Sequence, residues 1–171
     1  MKSPATKLTH AAIAAALYVV ITLIAAPISY GPLQLRLSEI LMILPYFMPE
    51  TAAGLAVGCF IVNIGSVYGI FDMILGSLAT GIAAFLIARS GKRKTKKDVV
   101  LTVVAPAVSN GLIVGAFIAY LTAPAGGFFA LYALYALQIG LSELIVMMCA
   151  GLPILIKLPK TEIYNRFIAG K

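Results

Sequence analysis

Three clusters of basic residues, set between long apolar runs, constrain this chain more than any other feature. Lys2 and Lys7 precede the first run; Arg89, Lys92, Arg93, Lys94, Lys96 and Lys97 crowd the middle; Lys157, Lys160, Arg166 and Lys171 follow the last. Apolar runs of about 20 residues suit transmembrane helices, because a helix satisfies its own backbone hydrogen bonds where lipid offers none. By the positive-inside rule all three clusters face the cytoplasm, so an even number of crossings joins each to the next. Hydrophobic residues make up 61% of the 171 and charged residues 11%, with a mean hydropathy of +1.02, which leaves little chain for a soluble domain. The expectation is an all-α integral membrane protein of the plasma membrane, a single transmembrane domain over residues 1–171 with both termini cytoplasmic. The net charge of +7 reflects topology rather than nucleic-acid binding, since the basic residues lie between spans and not on a folded soluble face.

Charge parity also decides how one ambiguous stretch is divided. Leu37 to Gly65 is mostly apolar but broken by Pro45, Pro49 and Glu50. Four crossings are needed between Lys7 and Arg89, so this stretch crosses twice. Each leg of about 15 residues reaches about 22 Å, short of a hydrocarbon core of about 30 Å, and flanking loops or a thinned bilayer must supply the rest. The predicted bundle has six transmembrane helices, at 8–26, 37–48, 50–65, 70–88, 99–121 and 129–152. The N-terminus resembles a signal sequence, but Pro27 follows the only small-residue cleavage candidate and the run is long enough to span, so it reads as an uncleaved first helix. Arg36 alone among the 13 Lys and Arg residues is then left outside. It follows a turn at Tyr30-Gly31-Pro32 and sits with Gln34, Ser38 and Glu39, a polar group suited to the outer lid and wall of a ligand site.

Small residues mark close helix contacts. Ala11 with Ala15 and Ala12 with Ala16 form small-xxx-small pairs on the first span, which either dock a partner helix or pack inside the bundle. Gly54 with Gly58 and Gly111 with Gly115 have the same spacing. His10 reads as an interfacial residue with no pairing partner, Glu50 and Asp98 as helix-start residues, and Cys59 and Cys149 as small core hydrophobes without metal spacing.

Ionisable groups inside spans cost about 2.5–3.5 kcal/mol at a helix centre, so they are functional candidates by default. Glu143 is the strongest. At about 100° per residue, Tyr132, Tyr135, Ile139, Ser142 and Glu143 share an arc of about 100°. Two aromatics, a hydroxyl and a carboxylate on one face fit a flat polar heterocycle, stacked on a ring and held by N–H bonds to the carboxylate. The alternative is a Glu143 bonded within the bundle and tyrosines in the interfacial belt. Asn110 and Gln138 are either ligand contacts or interhelical bonds. Asp72 either meets a cationic ligand group or caps its helix. Arg36 and Glu39, three apart, either form an ion pair that pins the lid or touch ligand. No G-x-x-x-x-G-K-[ST] loop, metal cluster or nucleophile–base pair occurs in the sequence. An enzyme, a bound cofactor and a resident metal are therefore not expected, and any pumping draws energy from another subunit.

Taken in order, these residues resemble the QueT family, substrate-binding S components of energy-coupling factor (ECF) transporters assigned to queuosine precursors. The resemblance runs through Tyr30-Gly31-Pro32, Arg36-x-Ser38-Glu39 and Leu44-Pro45, then Asp72 with Gly76-Ser77-Leu78-Ala79-Thr80. It continues through Pro106 with Asn110-Gly111 to Glu143-Leu144-Ile145-Val146 and Gly151-Leu152-Pro153. It implies a six-helix bundle of the S-component type that captures a 7-deazaguanine, such as preQ1, preQ0 or queuine, on the outer side. The loaded bundle would dock through Ala11, Ala12, Ala15 and Ala16 onto a transmembrane coupling subunit driven by two ATPase subunits. Glu143 would accept the N1–H and exocyclic amine of the base, Tyr132 or Tyr135 would stack on it, and Asn110 and Gln138 would bond other edges. Asp72 or Glu39 would face an aminomethyl cation while the Arg36 loop closes over the site. The rival readings are a self-sufficient proton-coupled secondary transporter using Glu143 and a non-transporting membrane subunit.

Overall fold

The computed structural model describes residues 3–26, 36–91, 95–162 and 164. The Tyr30-Gly31-Pro32 turn and Gln34 lie outside the described residues. Helix α1, Pro4–Ile24, opens on a Ser3 cap whose Oγ accepts the Thr6 N–H at 3.2 Å, with Pro4 in the first turn where its missing N–H costs nothing. Helix α2 spans Leu37–Phe47, wound as a 3-10 helix over Leu37–Ile43 and as an α-helix only over Leu44–Phe47. Helix α3, Thr51–Val62, runs on into a 3-10 turn, Asn63–Gly65. Helix α4, Asp72–Ser90, starts with a π turn at Asp72–Gly76. Helix α5, Lys96–Thr122, begins with a capping box in which Thr95 and Asp98 bond each other's backbone N–H, as expected of Asp98. Helix α6, Phe128–Lys160, contains a second π turn, Met147–Gly151.

Four of these, α1, α4, α5 and α6, are long and apolar enough to cross a membrane, and α2 and α3 are shorter apolar helices. The expected break within Leu37–Gly65 falls between Phe47 and Thr51. The two legs are antiparallel, because Arg36 at the start of α2 lies 3.6 Å from the Cys59 sulfur near the end of α3. The short leg gains reach from its winding. Seven 3-10 residues at about 2.0 Å each and four α residues at about 1.5 Å span about 20 Å, against about 16 Å for an all-α segment. At the other end Glu50 stands at the start of α3, as expected, but makes no side-chain cap bond there. The reading of His10 is corrected: its ring nitrogen and a Glu50 oxygen meet at 2.8 Å, tying α1 to α3.

Close backbone approach explains the glycines. A Cβ at Gly54 would fall 2.0 Å from the Ala11 carbonyl oxygen, and one at Gly58 2.9 Å from that of Ala15, so α1 lies directly on α3. Gly111 and Gly115 let α5 approach α6 in the same way at Ala136. The 3-10 part of α2 touches all five other helices, so the shortest element is the most central.

The interior is more polar than the surface. Ile24, Val67 and Phe129 are each more than three-quarters exposed, while Arg36, Glu39, Asp72, Asn110 and Glu143 are buried. This reverses the soluble pattern and suits a lipid-facing exterior. Two apolar clusters, one including Met42, Leu55, Ile87 and Met147 and the other Val114, Phe117, Ile118 and Ile139, bracket the buried polar residues of α5 and α6. Cys59 is buried as expected; Cys149 is exposed and not part of the core.

Candidate functional site

The buried polar residues form two groups. In the first, Arg36 donates from Nη2 to both Asp72 carboxylate oxygens at 3.3 and 3.4 Å. Ser66 donates to Asp72 Oδ2 at 2.6 Å, and Asn63 donates to the Asp72 backbone carbonyl at 2.9 Å. The Cys59 sulfur accepts from Asn63 and Thr80, each at 3.4 Å. Gly76 is required here. A Cβ on it would lie 2.5 Å from Asp72 Oδ1 and 2.9 Å from Asn63 Nδ2, in the turn where π winding rotates Asp72 inward.

This replaces the expected Arg36–Glu39 ion pair. Arg36 stands on extended backbone before the 3-10 helix begins, and the two side chains take different partners: Arg36 goes to Asp72, and Glu39 Oε1 accepts the Tyr18 hydroxyl at 2.6 Å. Next to it, Thr22 and Ser38 share a 2.7 Å bond. Asp72 is likewise no mere helix cap; its carboxylate joins α4 to α2 and to the loop after α3.

The second group is smaller. Asn110 of α5 donates to Glu143 Oε1 of α6 at 2.7 Å, so these two expected site residues do meet. Glu143 also lies within electrostatic reach of Glu39 and Arg36, which links the two groups. Four buried acceptor atoms have no hydrogen-bond partner among the described residues: Glu39 Oε2, Asn63 Oδ1, Asn110 Oδ1 and Glu143 Oε2. Buried polar atoms are ordinarily paired, and each open acceptor is a place for an external donor. All four can accept a hydrogen bond.

The aromatic residues divide. Tyr132 stacks on Phe128 with ring centroids 5.9 Å apart, the i,i+4 partner on its own helix, while Tyr135 packs with the cluster around Phe117. Gln138 is half-buried five residues before Glu143. Sequence reasoning missed Tyr68. It follows the polar turn at Ser66, packs edge-on to Phe117 at 6.0 Å, and lies within electrostatic reach of Tyr135 and Asp72. Tyr18 and Asn63 were also missed as members of the buried group. A tyrosine in mid-span was the available signal, since its hydroxyl needs a partner away from water. Among the described residues no three His, Cys, Asp or Glu side chains are placed to hold a metal ion.

Of the four alanines on α1, Ala11 and Ala15 are half-buried against Gly54 and Gly58, and Ala12 and Ala16 are exposed.

The sequence profile of a family described as "QueT transporter" matches residues 8–160. The chain belongs to the QueT transporter family. Together with its four long apolar helices, this makes it a multi-pass membrane protein of a transporter family. A relative from Lactococcus lactis subsp. cremoris (strain MG1363), named queuosine precursor transporter QueT, is 38% identical over 81 residues. That match covers 46% of this chain and 47% of the relative, about half of each. No solved structure matches.

Proposed function

We propose that this QueT-family chain is the substrate-capture subunit of an ATP-driven ECF-type importer, binding a queuosine precursor of the 7-deazaguanine class. The observation that carries the reading is the Asn110–Glu143 pair, whose outer oxygens, Asn110 Oδ1 and Glu143 Oε2, are buried and open. A guanine-type edge offers adjacent N–H donors, and a carboxylate accepts them in charge-assisted bonds. Tyr135 or Tyr68 would stack on the ring, Gln138 would bond another edge, and Tyr132 would play a supporting part beside Phe128. The relative's name supports the substrate class.

The bundle would be one domain crossing six times, with α2 and α3 as short crossings and both ends cytoplasmic in the plasma membrane. The transmembrane coupling subunit would sit on the exposed side of α1, against Ala12 and Ala16, with two ATPase subunits behind it; Ala11 and Ala15 would support that face from within. The 171 residues contain no phosphate-binding loop, which is consistent with energy from such partners and with a non-enzymatic role.

Mass spectrometry of ligand retained by gently purified protein tests the substrate, with a 7-deazaguanine expected. Recovery of an unrelated solute would overturn it. Uptake by the purified chain alone in liposomes, driven by a proton gradient without ATPase subunits, would instead favour a proton-coupled secondary transporter using Glu143.

A further inference from the structure

We propose that Glu39 is the specificity-determining residue of this site and holds a positively charged group of the ligand, so that the transporter selects a 7-aminomethyl base over a neutral 7-cyano base. The inference rests on the proposed 7-deazaguanine reading and goes past it to a choice between ligands. Glu39 is completely buried, and among the described residues only its Oε1 has a partner, the Tyr18 hydroxyl at 2.6 Å. Its Oε2 is open. The nearby guanidinium does not complete it: Arg36 Nη2 bonds Asp72 at 3.3 Å, and no described donor meets Glu39 Oε2.

Charge points the same way. Arg36 stands against Asp72, Glu39 and Glu143 in the linked polar groups, and Glu39 and Glu143 are within electrostatic reach of each other. Two buried carboxylates near one another do not both stay charged without a cation between them. A neutral base satisfies one carboxylate through its N1–H and exocyclic amine. The second is then surplus. The 7-substituent leaves the five-membered ring, away from that edge, and an ammonium there supplies the missing donor and the missing charge. Glu39 is well placed to report occupancy, since the 3-10 segment that carries it touches every other helix. Tyr18 acts as a positioning residue, fixing Oε1 so that Oε2 faces the ligand.

The test is equilibrium binding to the full-length protein in nanodiscs, using 7-aminomethyl-7-deazaguanine and 7-cyano-7-deazaguanine as probes. The wild type should prefer the aminomethyl base by about tenfold or more, the size of one charge-assisted bond. Glu39→Gln should weaken the aminomethyl base by about tenfold and change the cyano base by less than about threefold. Glu39→Asp, which keeps the charge, should keep the preference at lower affinity. A wild type that binds both bases equally overturns the inference even if no variant folds, as does a Glu39→Gln variant that weakens both alike. Failure of the wild type to bind either base overturns the underlying 7-deazaguanine reading and this inference with it.

Discussion

Asp72 and Glu143 are equally withdrawn from the surface, each 2% exposed, and differ in how they are satisfied. Asp72 has a donor on each oxygen: Arg36 reaches both, and Ser66 and Asn63 add further bonds. Among the described residues Glu143 has one donor, Asn110, on one oxygen and none on the other. A saturated carboxylate has no capacity left for a ligand and acts by holding α2, α4 and the loop after α3 together. A half-open one holds two helices loosely and keeps an acceptor in reserve. Burial alone does not distinguish the two carboxylates; the number of bonds already made does.

The largest expected effect comes from breaking the saturated side. Asp72→Ala leaves Arg36 buried and unpaired, a loss of about 3–5 kcal/mol. A thermal unfolding series in detergent should show a marked drop in midpoint, while the protein that remains folded keeps its choice of base. An unchanged midpoint together with lost binding would move Asp72 into the ligand site and end the contrast.

Glu143→Gln should do the reverse. Two charge-assisted bonds to the base are replaced by one neutral acceptor and a misplaced donor, which costs about 3 kcal/mol and weakens binding by about 100-fold. Stability should hold or rise, because a half-satisfied buried charge is removed. Calorimetric titration paired with the unfolding midpoint checks both. Retained affinity would leave Glu143 a packing residue. Asn110→Ala lies between the two cases. It removes an open acceptor and the donor that orients Glu143, so affinity and midpoint should both fall, each by about 1–2 kcal/mol.

The comparison also shows which parts of the molecule can be read from the chain. The division of Leu37–Gly65 was legible because charge parity is a global count that needs no tertiary information. The inward face carrying Ile139, Ser142 and Glu143 was legible from helical period, and all three are buried. The partner of Arg36 was not. Asp72 lies 36 residues away, and only the antiparallel return of α3 and the π turn of α4 bring it within reach. Local spacing favoured Glu39, but Arg36 stands on extended backbone before the helix starts, which spacing alone does not announce. The stacking of Tyr132 on Phe128 of the same helix was also not read from the arc. Half of the alanine face proved internal because glycine spacing on α3 matches it, a correspondence between two segments that neither reveals alone.

The smallest expected effect gives the most searching comparison. Replacing both members of the ion pair, Arg36→Met with Asp72→Leu, removes the two charges at once and leaves neither one stranded. Such exchanges are often neutral or stabilising, so most of the loss seen in Asp72→Ala should return, to within about 1.5 kcal/mol of the wild type. The strongest bond from Asn63 runs to the backbone carbonyl of residue 72 at 2.9 Å and survives the change, and Ser66 is only partly buried and can turn to solvent. Base affinity should then stay within about threefold, because the acceptors proposed for the ligand belong to Glu143, Asn110 and Glu39. A double variant that is stable and yet fails to bind would show that the saturated pair acts on the ligand through charge rather than contact. In that case Arg36 balances Glu39 and Glu143 as well as Asp72, and the two groups function as one site.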